Sequence, residues 1–66
     1  MSSHRKGDLV KLLCDTMLWE RSTIGIIVSS RDGVGVNQIY DILIHDSYGN
    51  LRIVALDSYW VTGIDS

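Results

Sequence analysis

The sequence predicts an all-β domain: a small barrel of five short strands with a 3₁₀ turn before the last. Three observations predict it. Short apolar runs recur at spacings of roughly 8–14 residues with turn residues between them, the rhythm of small barrels. Those runs are rich in Ile and Val, whose branched β-carbons fit a pleated sheet better than a helix. Near the end, Asp57-Ser58 stands directly before Tyr59-Trp60; Asp and Ser side chains accept orphan backbone N–H groups and so start helical turns.

Taken in order, residues 1–6 are polar and read as a flexible tail, leaving 7–66 as one domain. In the first run, Asp8 to Cys14, the two-residue period of a strand puts Val10, Leu12 and Cys14 on one face. Residues 15–22, DTMLWERS, are too few for an independent helix. They read as a long, partly ordered loop with Met17 or Leu18 tucked under the barrel. The second strand, Thr23 to Ser30, divides into Ile24, Ile26 and Val28 on one face and Gly25 and Ile27 on the other. A glycine inside a strand marks a bulge, a bend or a close backbone approach, and a small barrel needs the bend.

Residues 31–37, RDGVGVN, supply two glycines for a turn. The third strand, Gln38 to His45, has Tyr40, Ile42 and Ile44 on one face and Ile39, Asp41 and Leu43 on the other. Asp46 to Asn50 forms a hairpin loop, Leu51 to Leu56 the fourth strand, and Val61 to Ile64 the fifth. The turn at 57–60 rotates the chain so that the last strand seals the barrel, with one ring of the Tyr59-Trp60 pair pointing in and the other out.

Apolar residues make up 45% of the 66-residue chain, enough for a core. A chain this short buries only about 60% of its unfolded surface, so partners often add stability. A single cysteine, Cys14, excludes an internal disulfide, and with His4 and His45 it forms no zinc spacing. No metal or cofactor is expected. The formal net charge of -2 predicts no steering toward nucleic acid or anionic lipid. No apolar run reaches the ~18 residues of a membrane span, and no targeting segment precedes the domain. These features fit a reducing, cytoplasmic compartment; a virus particle would look the same.

Lys6-Gly7-Asp8-Leu9-Val10, then Gly25-Ile26-Ile27-Val28, then Tyr59-Trp60-Val61 together resemble SH3-like small β-barrels over residues 7–65. The opening is similar to KOW-type and other prokaryotic members and to small barrels of tailed bacteriophages. The resemblance implies a non-enzymatic protein–protein interaction or assembly module, an accessory protein of a phage or prokaryote. The chain lacks the ALYDY-like stretch, paired tryptophans and late proline of peptide-binding SH3 domains, so recognition of proline-rich ligands is not implied. KOW barrels that bind nucleic acid are usually basic, and this chain is mildly acidic.

The candidate partner-binding residues are Trp19, Tyr48, Tyr59 and Trp60, since aromatics bury much area at little entropic cost. In an SH3-like barrel the first loop and the closing turn lie close together, which would join Trp19 to the Tyr59-Trp60 pair. Either these rings form a binding face, or two or three of them cap the barrel ends. Strand edges without a guarding proline favour self-association into a homo-oligomer. The alternative, a nucleic-acid-associated barrel, would use Arg5, Lys6, Arg21 and Arg31, although the basic residues are scattered.

No catalytic residues emerge. Asp41, Asp46, Asp57 and Asp65 show no acid/base pairing in their spacing, and Asp41 is expected to face solvent on the outer side of its strand. His45-Asp46 reads as an ordinary strand end, and Cys14 as a small buried hydrophobe. Gly33-Val34-Gly35 is too short for a phosphate loop. A barrel this small rarely has room for the ~300 Å³ pocket a substrate needs.

Overall fold

The computed structural model describes residues 4–33, 35 and 37–64. The expected tail therefore lies partly outside the described residues, as does Asp65. The chain forms five antiparallel strands: β1 (Leu9–Leu12), β2 (Ile24–Asp32), β3 (Gln38–His45), β4 (Leu51–Asp57) and β5 (Val61–Gly63). A 3₁₀ turn, Ser58–Trp60, joins β4 to β5, and no α-helix occurs among the described residues. The strands lie in one sheet in the order β4-β3-β2-β1-β5. β4 and β5 are its two edges, and no pairing between them closes the sheet into a cylinder.

The inner face carries the core. Val10, Leu12, Ile27, Tyr40, Ile42, Ile44, Val54 and Val61 are buried together with Trp19 from the first loop. Val10, Leu12 and Ile42 are completely enclosed. With no second sheet or α-helix among the described residues to cover them, the sheet must curl over its own inner side. Two features allow this. Between Ile27 and Ser29 the β2–β3 register shifts, and the extra residue, Val28, forms a bulge that increases the local bend. At Gly25 a β-carbon would clash with Ile42 Cγ2, and it would lie 2.8 Å from Ile44 Cγ2 and 2.9 Å from the Leu43 carbonyl oxygen. The strand glycine is thus a close approach, while the bulge comes three residues later, at Val28.

The faces of β2 differ from what their apolar content suggests. Gly25 and Ile27 point into the core, whereas Ile24 and Ile26 are exposed. The first loop is well pinned. Thr16 Oγ1 accepts from the backbone N–H groups of Leu18 (2.9 Å) and Trp19 (3.3 Å), and Ser22 N–H donates to the Leu12 carbonyl at 2.8 Å. Met17 is 85% exposed and Leu18 half-buried; the ring under the sheet is Trp19, with Cys14 and Leu18 packed beside it. Ser47 N–H donates to the Leu18 carbonyl (2.6 Å) and ties this loop to the β3–β4 turn.

Candidate interaction surface

The expected aromatic cluster separates into three environments. Trp19 is buried in the core, and its Nε1–H donates to the Cys14 carbonyl at 3.0 Å. A buried indole needs such a partner, so this ring anchors the loop to the end of β1. Tyr48 is exposed at the β3–β4 turn and lines an open groove of about 500 Å³ with Thr16, Met17, Leu18 and an edge of Trp19.

Tyr59 and Trp60 sit on the 3₁₀ turn. Asp57 caps it as the sequence suggests, its Oδ1 accepting from Tyr59 N–H at 2.8 Å. Their rings meet edge to face, centroids 5.0 Å apart. Both are exposed, Tyr59 at 73% and Trp60 at 43%, so neither ring points fully inward. The tie to β1 is made by backbone instead, Leu13 N–H donating to the Trp60 carbonyl at 2.8 Å.

Of the basic candidates, Arg31 is engaged: its Nη1 donates to both oxygens of Asp41 at 2.8 and 2.7 Å. Ser29 donates to the same carboxylate at 2.6 Å. The Ser29 hydroxyl and the Arg31 guanidinium hold the Asp41 carboxyl below its ordinary pKa, against partial burial that pushes it up. Asp41 does lie on the outer side of its strand, half-buried within this network. Arg5, Lys6 and Arg21 are exposed, with the Arg5 backbone N–H donating to Asp8 Oδ2 at 2.8 Å.

The second carboxylate with a clear task is Asp46, a buried residue whose side chain is fully enclosed. It accepts from the N–H groups of Tyr48 (2.9 Å) and Asn50 (3.0 Å) and from Arg52 Nε (3.0 Å). The Asn50 N–H, chiefly, lowers its pKa, and Arg52 and the Tyr48 N–H add to this against the opposing effect of burial. Asp46 therefore organises the β3–β4 turn, where Gly49 takes the positive φ of 82° that a β-carbon would make strained.

The reading from aromatics passes over an apolar surface on the outer face of the sheet. In register, Leu9 pairs with Ile26, Ile26 with Leu43, and Leu43 with Ile53. These four side chains form one row across β1, β2, β3 and β4 on the outer face of the sheet. Ile24 and Leu51 widen it, and with His45 they line a shallow depression over β2 and β3. Exposure is 53% for Leu9, 53% for Ile24, 41% for Ile26, 65% for Leu51 and 61% for Ile53. Together they present on the order of 500 Å² of apolar side chain, toward the upper end of what a monomer's largest patch reaches. The margins are polar, with Ser29 and Asp41 on one side and Lys11 and His45 on the other.

A sequence signal for this face existed. Ile24-Gly25-Ile26-Ile27-Val28 and Ile42-Leu43-Ile44 are continuous apolar runs, whereas an antiparallel strand with one wet face should alternate. No family model, no curated protein and no solved structure matches this chain.

Proposed function

We propose that this chain is a non-enzymatic assembly module of the SH3-like small-barrel type, working by protein–protein contact through the outer face of its sheet. The observation that carries this reading is the apolar row Leu9, Ile26, Leu43 and Ile53, left uncovered on an antiparallel sheet. The largest apolar patches of monomers are often functional, and a polar rim around an apolar centre is the usual anatomy of a contact site. The strand order, the β3–β4 hairpin and the 3₁₀ turn before β5 support the barrel-type reading. Placing the chain among phage or prokaryotic accessory proteins rests on the resemblance of its opening and second-strand motifs. Asp41 and Asp46, whose pKa values are displaced, are both engaged in structural hydrogen bonds, which favours an interaction role over acid/base chemistry. Arg31, one of four candidate cations for nucleic acid, is occupied by Asp41.

The test compares wild type with Ile53→Asp. Far-UV circular dichroism confirms the fold, light scattering reads self-association, and an immobilised chain reads retention of proteins from a cell extract. The reading predicts that the variant keeps its β spectrum and loses the protein contacts of the wild type. Equal contacts in both place the functional surface elsewhere. Retention of the wild type on DNA, released by moderate salt, would favour the nucleic-acid alternative.

A further inference from the structure

We infer that the occupant of the outer face is a second copy of this chain, packed sheet on sheet in a two-fold dimer. This rests on the proposed contact role of that face and names its partner. Three features support it.

The first is area. The five exposed aliphatic side chains, with half-buried Leu43 and the polar margins, offer on the order of 800 Å² per copy, the size a stable two-protein interface buries on each side.

The second is self-complementarity. The row Leu9–Ile26–Leu43–Ile53 runs in register across the strands, so a two-fold axis laid along it in the contact plane sets each row residue opposite its own counterpart. An isologous interface requires that match. The same operation exchanges the margins. On β3, Asp41 and His45 stand two residues to either side of Leu43, about 7 Å along the strand in each direction. The imidazole of each copy then faces the carboxylate of the other, a donor opposite an acceptor, twice.

The third is the shape of the face. It is a sheet surface whose depression over Leu9, Ile26 and Leu43 is shallow, and apolar sheet faces interdigitate at a spacing of about 10 Å.

The experiment is light scattering and sedimentation of the full chain over a wide concentration range, with three variants. Leu9→Asp and Ile53→Asp place a charge at opposite ends of the row, and Asn37→Asp places the same charge outside it. The expected result is a wild-type dimer, a dimer for Asn37→Asp, and monomers for both row variants with unchanged far-UV spectra. If either row variant unfolds, Ile53→Ser or Leu9→Ser takes its place, with at least a tenfold weaker dimer expected. A wild type that stays monomeric at high micromolar concentration overturns the inference, as does a dimer indifferent to both row variants. A monomer that still retains another protein through Ile53 overturns the second copy and leaves the contact reading standing. A monomer that retains nothing overturns both.

Discussion

The two faces of the one sheet are built from the same residue types and meet opposite fates. On the inner side Val10, Leu12, Ile27, Ile42, Ile44 and Val54 are buried under the curl of the strands. On the outer side Leu9, Ile24, Ile26, Leu51 and Ile53 are open. Ile42 and its strand neighbour Leu43 illustrate the contrast: the first pairs with Val54 inside, the second with Ile53 outside. Apolar content alone therefore does not say which face is the core. The side toward which the sheet bends decides it, and the bend is set by Gly25 and the bulge at Val28.

The sharpest way to break this comparison is one substitution made on both faces. Ile42→Ala should cost about 2–5 kcal/mol in a denaturant titration, because the cavity is fully enclosed. Ile53→Ala, measured in solution dilute enough for monomers, should change stability by no more than about 0.5 kcal/mol. Equal losses would mean that the outer row belongs to the monomer's own core.

Next is Gly25→Ala, which tests what sets the bend. The added β-carbon meets Ile42, Ile44 and the Leu43 carbonyl, two of them core side chains and one rigid backbone, so a loss of about 1–3 kcal/mol is expected. No loss would show that β2 and β3 separate there easily and that Gly25 does not set the inner face.

Acid titration probes the turn that holds β3 against β4. The folded-state pKa values of Asp46 and Asp41 lie below the ordinary value of 3.8. The unfolded chain thus takes up these protons first as pH falls. Their contribution is complete above the ordinary carboxylate range and disappears as pH drops through 3.8 toward the lowered folded values. Asp46→Asn should lower the thermal midpoint at neutral pH and flatten part of this acid slope. An unchanged slope would mean that Asp46 contributes nothing to the pH dependence.

The smallest effect belongs to Tyr59→Ala. The ring is exposed and touches Trp60 edge to face, so stability should fall by less than about 1 kcal/mol, with a clear change in Trp60 fluorescence. A larger loss would make this pair a structural cap.

Much of the fold was legible in the sequence. The bounds of β3 follow from alternation between two turn signals, and the 3₁₀ turn follows from Asp57 as a cap. Closure into a cylinder did not follow, since β4 and β5 remain unpaired edges. The face assignment of β2 was not legible either. Ile24, Ile26 and Ile27 are chemically alike, and only the close approach at Gly25 shows which side turns inward. Of the four candidate aromatics, Trp19 lies in the core while Tyr48, Tyr59 and Trp60 are exposed. Trp19 drew notice as a large aromatic, yet its indole N–H reaches the Cys14 carbonyl inside the core. The continuous apolar runs of β2 and β3 signalled a second apolar face, and strand pairing then aligned its four residues into one row. The role of Asp46 was hidden because its three donors converge only once the turn is formed.

The most direct test of the central claim, that the outer row is an interface between copies, is the thermal midpoint as a function of protein concentration. Association that favours the folded chain raises the midpoint by mass action. The account predicts a midpoint that climbs with wild-type concentration and stays flat for Ile53→Asp. A wild-type midpoint independent of concentration would contradict it.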